Sequence, residues 1–209
     1  MRGVQLVEFS LDDYRNEAFH NEVLARINSY DDLRANWFEV KHGGNFVLDR
    51  RKDKLRKAYP DGAIVTGHGL ELGFGLGTST QVLFDWYPDV TLDLIDFNEN
   101  NLKIGHILKK QYPKRVRELF IGNTNSIPVP DNCYDFVNSS SFFEHLTEED
   151  YRSTLKELYR TLKPGGRVYV YVDQIAENQH IRIVSPEQTC KEMQVVGFNA
   201  INNFLYVRP

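Results

Sequence analysis

Glu71, Gly73, Gly75, Gly77 and Asp96 are the residues whose types and spacing point most directly to chemistry. An apolar run from Ile64 to Leu72 leads into Gly73-Phe74-Gly75-Leu76-Gly77, and a helical pattern then runs from Thr78 to Trp86 and Tyr87, where Pro88 stops it. This predicts a strand, a tight glycine turn and a helix capped by Thr78 or Ser79. Taken alone, such a turn is an ordinary βα connection. A dinucleotide site wants G-x-G-x-x-G, with a pyrophosphate on the helix N-terminus. Here the spacing is G-x-G-x-G, and Glu71 precedes it. A carboxylate in that place repels a pyrophosphate and suits a cationic group, an ammonium or a sulfonium. Asp96, at the next strand tip, can accept from both hydroxyls of a ribose, and Asn123 and Thr124, at the third, can meet an adenine edge. Together they fit a nucleoside with a cationic amino-acid tail.

The elements that must position these residues alternate. After the first strand and helix come a strand over Val90 to Ile95, a helix from about Glu99 to Lys110, and a strand from Arg117 to Ile121. Tyr134 to Asn138 is a fourth strand and Val168 to Val172 a fifth. Thr147-Glu148-Glu149-Asp150 opens one helix, which Lys163-Pro164-Gly165-Gly166 ends; Ser185-Pro186-Glu187-Gln188 opens another, which Gly197 ends. A last strand runs from Phe204 to Val207, and the usual final antiparallel pair looks abbreviated. The expected fold is α/β: a doubly wound, mostly parallel Rossmann-like sheet of about six to seven strands, with helices on both faces and an N-terminal helical extension. Ligands of such sheets lie outside the carboxyl ends of the strands, where strand order reverses.

Residues 1–61 read as the extension or a lid, and residues 62–209 as the ligand-binding domain. Ser10-Leu11-Asp12-Asp13 caps a first helix; a second runs from Asp31 through Val40 and ends at Gly43-Gly44. The lid reading makes Tyr14, Trp37 and His42 substrate contacts. The run Arg50-Arg51-Lys52-Asp53-Lys54-Leu55-Arg56-Lys57 reads as a solvated helix face, with an anionic substrate such as a phosphate or sugar acid as the other reading.

The chain has 209 residues, 41% hydrophobic and 26% charged, which is ordinary for one globular domain with a modest extension. A net charge of −4 gives no general pull toward nucleic acid or an anionic membrane. Cys133 and Cys190 are too few for a disulfide framework or a four-cysteine metal site, and no metal is expected. With no apolar leader and no membrane-length apolar run, the expectation is a cytoplasmic protein, monomeric or homodimeric, without a membrane partner.

The motifs in this order resemble those of class I S-adenosylmethionine-dependent methyltransferases, in the broad ubiquinone/menaquinone-type group. Glu71 to Gly77 resembles the first motif and Ile95-Asp96-Phe97 the acidic ribose clamp. Ile127 to Val137 resembles the loop and fourth strand, Phe143-Glu144-His145-Leu146 the segment after it, and Leu158 to Arg167 the turn into the fifth strand. The resemblance spans about Ala63 to Val172 and implies S-adenosyl-L-methionine as cofactor. The cofactor residues it implies are Glu71, Gly73, Gly75, Gly77, Asp96, Phe97, Asn123, Thr124 and Ser139. One departure is Asn123, where the family usually has an acid; its neutral carbonyl still accepts from an adenine amino group.

Methyl transfer from a sulfonium is an in-line displacement with a neutral leaving group, so positioning dominates. An oxygen acceptor gains from a general base, and the candidates are His145 and Asp173. His42, His68 and His180 read as solvent-exposed or packing residues. Asn138-Ser139-Ser140-Ser141-Phe142 lacks the prolines of the N-P-P-Y turn that marks base- and amide-methylating enzymes, and no basic or aromatic nucleic-acid module is seen. A small-molecule hydroxyl is the expected acceptor. The alternatives are a non-catalytic S-adenosylmethionine-binding protein and a related nucleoside-sulfonium transferase moving an aminopropyl group. A nicotinamide oxidoreductase is disfavoured by Glu71 and the glycine spacing.

Overall fold

The computed structural model describes residues 17–42, 44–172 and 185–209, with backbone alone at 17–19 and 42. Nine strands and seven α-helices occur among them. The strands are β1 (Lys41–His42), β2 (Asn45–Phe46), β3 (Gly67–Leu72), β4 (Val90–Asp96), β5 (Val116–Ile121), β6 (Tyr134–Ser140), β7 (Leu162–Tyr171), β8 (Asn199–Asn202) and β9 (Leu205–Val207). The helices are α1 (Glu17–Arg26), α2 (Tyr30–Leu33), α3 (Val47–Leu55), α4 (Thr78–Trp86), α5 (Leu102–Gln111), α6 (Glu148–Thr161) and α7 (Pro186–Val196).

β3 to β9 form one sheet in the order β5-β4-β3-β6-β7-β9-β8. β3 pairs parallel with both β4 and β6, β4 with β5, and β6 with β7. Only β9 runs against the rest, pairing antiparallel with both β7 and β8. The chain moves outward from β3 through β4 to β5, then returns to the other side of β3 for β6. The crevice between the β3 and β6 tips is therefore the switch point. The central strands are buried along most of their length, as a sheet covered on both faces requires.

The capping chemistry holds. Thr147 accepts from Asp150 N–H at 3.1 Å, Ser185 accepts from Gln188 N–H at 3.1 Å, and Gly197 ends α7 with φ +117. The final antiparallel pair is short, as expected, at four and three residues. Three expectations are corrected. The helix expected over Asp31 to Val40 is one α-turn followed by a π-helix, Arg34–Phe38; it stops at Glu39, and Gly44 instead turns the β1–β2 hairpin at φ +87. Lys163 to Gly166 lies within β7, where the register shifts opposite Tyr134 and Phe136. The cap of α4 is Gly77, in the left-handed region at φ +73, not Thr78 or Ser79. The proposed cap at Ser10 lies outside the described residues.

The segment before β3 is fastened to the sheet. Ile27, Leu33, Phe38, Leu55 and Tyr59 share an apolar core with Val82, Leu92 and Leu94. Tyr30 Oη donates to Gln81 Oε1 at 2.6 Å, and Tyr59 stacks on Tyr169 with ring centroids 4.0 Å apart. Cys133 and Cys190 are thiols outside any disulfide, each half-buried. No helix among the described residues is long and apolar enough to cross a membrane.

Candidate functional site

The β3 tip bends into the glycine loop through backbone that few side chains tolerate. Gly73, Gly75 and Gly77 have φ of +62, +51 and +73. A Cβ on Gly73 falls 2.3 Å from the Phe142 ring, so this glycine is set by packing beneath the loop. A Cβ on Gly75 meets nothing within 4 Å, so here the bare backbone lines an open cradle. A glycine at such a point permits close approach of a ligand to the main chain.

Glu71 lies beneath this cradle rather than in it. It is 2% exposed, and its Oε2 accepts from Thr80 Oγ1 at 2.6 Å. Burial pushes its carboxyl up to about 7, against the opposing pulls of the Thr80 hydroxyl and the Arg51 charge. In this structure the Glu71 side chain ties β3 to the first turn of α4 and acts on the loop from below. Trp37, expected as a substrate contact, is likewise enclosed. Its indole is 5% exposed and donates from Nε1 to Thr78 Oγ1 at 2.8 Å. That hydroxyl, expected to cap α4, instead anchors the preceding segment.

Asp96, at the β4 tip, is 4% exposed. Its Oδ2 accepts from Gly75 N–H and its Oδ1 from Asn98 N–H, both at 2.9 Å. The carboxylate thus fixes the glycine loop against β4, and each oxygen keeps a second lone pair for a diol. Phe97 beside it is 67% exposed and offers an aromatic face. At the β5 tip, exposed Asn123 donates from Nδ2 to Asp150 Oδ1 at 3.2 Å, which leaves its carbonyl oxygen as an acceptor. Thr124 does not face the crevice through its side chain. It is buried, with its hydroxyl 2.8 Å from that of Thr154 on α6.

The β6 tip carries two buried polar atoms that no described residue satisfies, Ser139 Oγ and Asn138 Nδ2. Buried polar atoms in native structures nearly always find partners, so such a pair at a switch point fits a polar ligand. Asn138 Oδ1 is held by Tyr59 Oη at 2.9 Å. Ser141 then takes φ +53, its N–H bonded to Tyr171 O at 2.8 Å, which turns the chain sharply out of the strand. His145 follows, half-buried at the end of a short 3-10 turn, Phe143–His145.

The structure brings Gly75, Asp96, Phe97, Asn123 and Ser139 to neighbouring strand tips, with Gly73 packed on Phe142 and Gly77 on Leu108, and with His145 on the segment leaving β6. Tyr14, Asp173 and His180 lie outside the described residues, as does the side chain of His42. His68 is a packing residue: its Nε2 lies 3.1 Å from buried Asp93, which also accepts from Tyr134 Oη at 2.9 Å. Sequence reasoning placed no single residue of the basic run at the site. Arg51 reaches it, donating from Nη1 to Ser140 Oγ at 2.7 Å and Ser141 Oγ at 3.2 Å. The run itself was the signal; which of its members turn inward depends on how α3 docks. No group of three or more metal-ligating side chains occurs among the described residues.

Comparisons with known proteins agree with this fold. Residues 70–170 match the family model described as a methyltransferase domain. A demethylmenaquinone methyltransferase of Listeria welshimeri is 39% identical over 81 residues, covering 39% of this chain and 34% of that protein. The chain thus spans about a third of the length of the curated relatives it matches. Among solved structures, the (4+2)-cyclase SpnF superposes with a TM-score of 0.62 at 20% identity, covering 79% of this chain and 63% of that one. Phosphoethanolamine N-methyltransferase 2 of Haemonchus contortus, solved with S-adenosyl-L-methionine, gives 0.60 at 17%, covering 90% and 44%. At such identities the structural likeness shows the fold alone; one of the two is a cyclase, so the fold does not by itself fix the reaction.

Proposed function

We propose that residues 70–170, which match a methyltransferase domain, work as a class I S-adenosylmethionine-dependent methyltransferase of the menaquinone-type group, and that the protein methylates a small molecule at a hydroxyl oxygen. The observation that carries this reading is the open backbone cradle at Gly75, bracketed by the Asp96 carboxylate and the unsatisfied Ser139 hydroxyl at the sheet's switch point.

These residues fit S-adenosylmethionine. Gly73 to Gly77 present main chain to its methionyl end, Asp96 accepts from the ribose hydroxyls, Phe97 covers an adenine face, and the Asn123 carbonyl accepts from the adenine amino group. When bound, the cofactor supplies a methyl group made electrophilic by the sulfonium. The chain's own contribution is mainly alignment, which is worth most in a displacement between two held partners. His145, leaving the β6 tip, takes the proton of the acceptor hydroxyl as the new O–C bond forms. Asp173 is the alternative base. Residues 1–61 act in this reading as an accessory segment, with Tyr14 and His42 as acceptor contacts, while residues 62–209 carry the reaction.

Calorimetry with S-adenosylmethionine, S-adenosylhomocysteine and NAD, followed by a methyl-transfer screen against hydroxyl-bearing metabolites, tests the proposal. Binding of both sulfur nucleosides with turnover on an alcohol or phenol supports it. Binding of NAD alone refutes it, and binding without transfer to any acceptor would favour the non-catalytic alternative.

A further inference from the structure

α3 sorts its basic residues onto two faces. Lys52 pairs with Asp49 at 3.5 Å and Arg56 with Asp53 at 2.9 Å, both acids of the same helical segment. Arg51, Lys54 and Lys57, three apart, point the other way, toward the strand tips. The Lys54 and Lys57 ammonium groups lie 5.5 and 5.4 Å from the centre of the Tyr171 ring, at the end of β7. Arg51 is half-buried and bonds through one nitrogen to two neutral hydroxyls, those of Ser140 and Ser141. Among the described residues it forms no ion pair with a carboxylate. The nearby anion is Glu71, sealed beneath the glycine loop.

From this arrangement we propose that the acceptor carries an anionic oxyacid group, a carboxylate or a phosphate, received by Arg51 together with the Ser140 hydroxyl, with Lys54 and Lys57 at the rim. A guanidinium presents five donors in a planar fork, of which the two serine bonds use only one nitrogen. The remaining edge matches the paired oxygens of a carboxylate or phosphate. The Ser140 hydroxyl that holds Arg51 can rotate to donate to the same anion. This end of β6 and β7 adjoins the cradle at β3, so an acceptor held by its anion at Arg51 extends toward the cofactor's methyl group. The inference rests on the methyl-transfer reading of the crevice and specifies its substrate class. The competing role for Arg51, offsetting the buried Glu71, predicts no ligand response.

Nuclear magnetic resonance of the Arg51 side-chain N–H, with the full chain in the presence of S-adenosylhomocysteine, tests this using benzoate, phenyl phosphate and neutral benzamide. The expected result is a saturable shift with benzoate or phenyl phosphate and none with benzamide; whichever anion saturates identifies the oxyacid. By calorimetry the responding anion should bind roughly tenfold to a hundredfold more weakly to Arg51→Gln, with an intermediate loss in Arg51→Lys, which keeps the charge without the fork. No saturation with either anion, an equal response to benzamide, or unchanged anion affinity in both variants overturns the proposal. Calorimetry with S-adenosylhomocysteine on the same wild-type sample reports the premise separately: failure there removes the methyltransferase reading whatever the anions do.

Discussion

Glu71→Gln isolates the energetic consequence of burying a carboxylate under the glycine loop. In the unfolded chain this group titrates near 4.5; in the folded chain burial raises it to about 7. Between those values the folded state holds a proton that the unfolded state has released, so stability falls as pH rises through that window. The shift corresponds to about 3 kcal/mol at full development, present as a penalty above pH 7 and absent below the unfolded value. The amide introduced by Glu71→Gln keeps an oxygen to accept from Thr80 Oγ1 but stays neutral throughout. Urea unfolding of both proteins without ligand, across this pH range, should therefore give a difference curve. The variant should gain on the wild type by up to about 3 kcal/mol on passing from pH 4.5 to above 7. Taking the difference removes Asp93, Asp135 and Glu157, whose carboxyls are lowered and whose contributions fade only in acid. A difference curve that is flat, or that slopes the other way, would refute the burial argument. A buried carboxylate with so raised a pKa, next to a ligand-binding loop, is characteristic of functional sites.

Asp96→Asn removes the charge that receives Gly75 and Asn98 N–H; S-adenosylmethionine affinity, read by calorimetry, should fall by about 1–3 kcal/mol, and an unaltered affinity would take Asp96 out of the site. Gly75→Ala clashes with nothing but forces a left-handed backbone, so thermal unfolding should report a loss of about 1 kcal/mol, with cofactor binding weakened further as the methyl enters the cradle. Trp37→Phe loses the buried bond to Thr78 and should cost about 1 kcal/mol in urea unfolding without changing which acceptors are methylated; a changed acceptor range would restore Trp37 as a substrate contact. Once an acceptor is known, His145→Ala should lower turnover by roughly a hundredfold or more if His145 removes the hydroxyl proton, and undiminished turnover would reject it as the base.

Much of the scaffold was legible because it is written in local chemistry. The glycine spacing needs positive φ, the alternating runs need a pleat, and Thr147, Ser185 and Gly197 each satisfy or end a helix through neighbours a few residues away. The order of those elements was enough to place the switch point between the β3 and β6 tips. Side-chain direction was not legible, because it is settled by partners far off in sequence. Trp37 finds Thr78 across 41 residues, Arg51 finds Ser140 across 89, and Thr124 turns to Thr154 across 30. Each of these contacts exists only once the segment before β3 and helix α6 have docked, and each reassigns a residue that its own neighbourhood left undecided. The same docking explains Glu71. Its position in the motif follows from the sequence, but its burial, and the proton it holds to about pH 7 against the pull of the Thr80 hydroxyl, follow from the loop closing over it. The sequence by itself determined most of the elements, their order and the switch point; the tertiary packing decided which charges lie beneath the glycine loop and which face outward, since burial and long-range hydrogen bonding are properties of the assembled sheet.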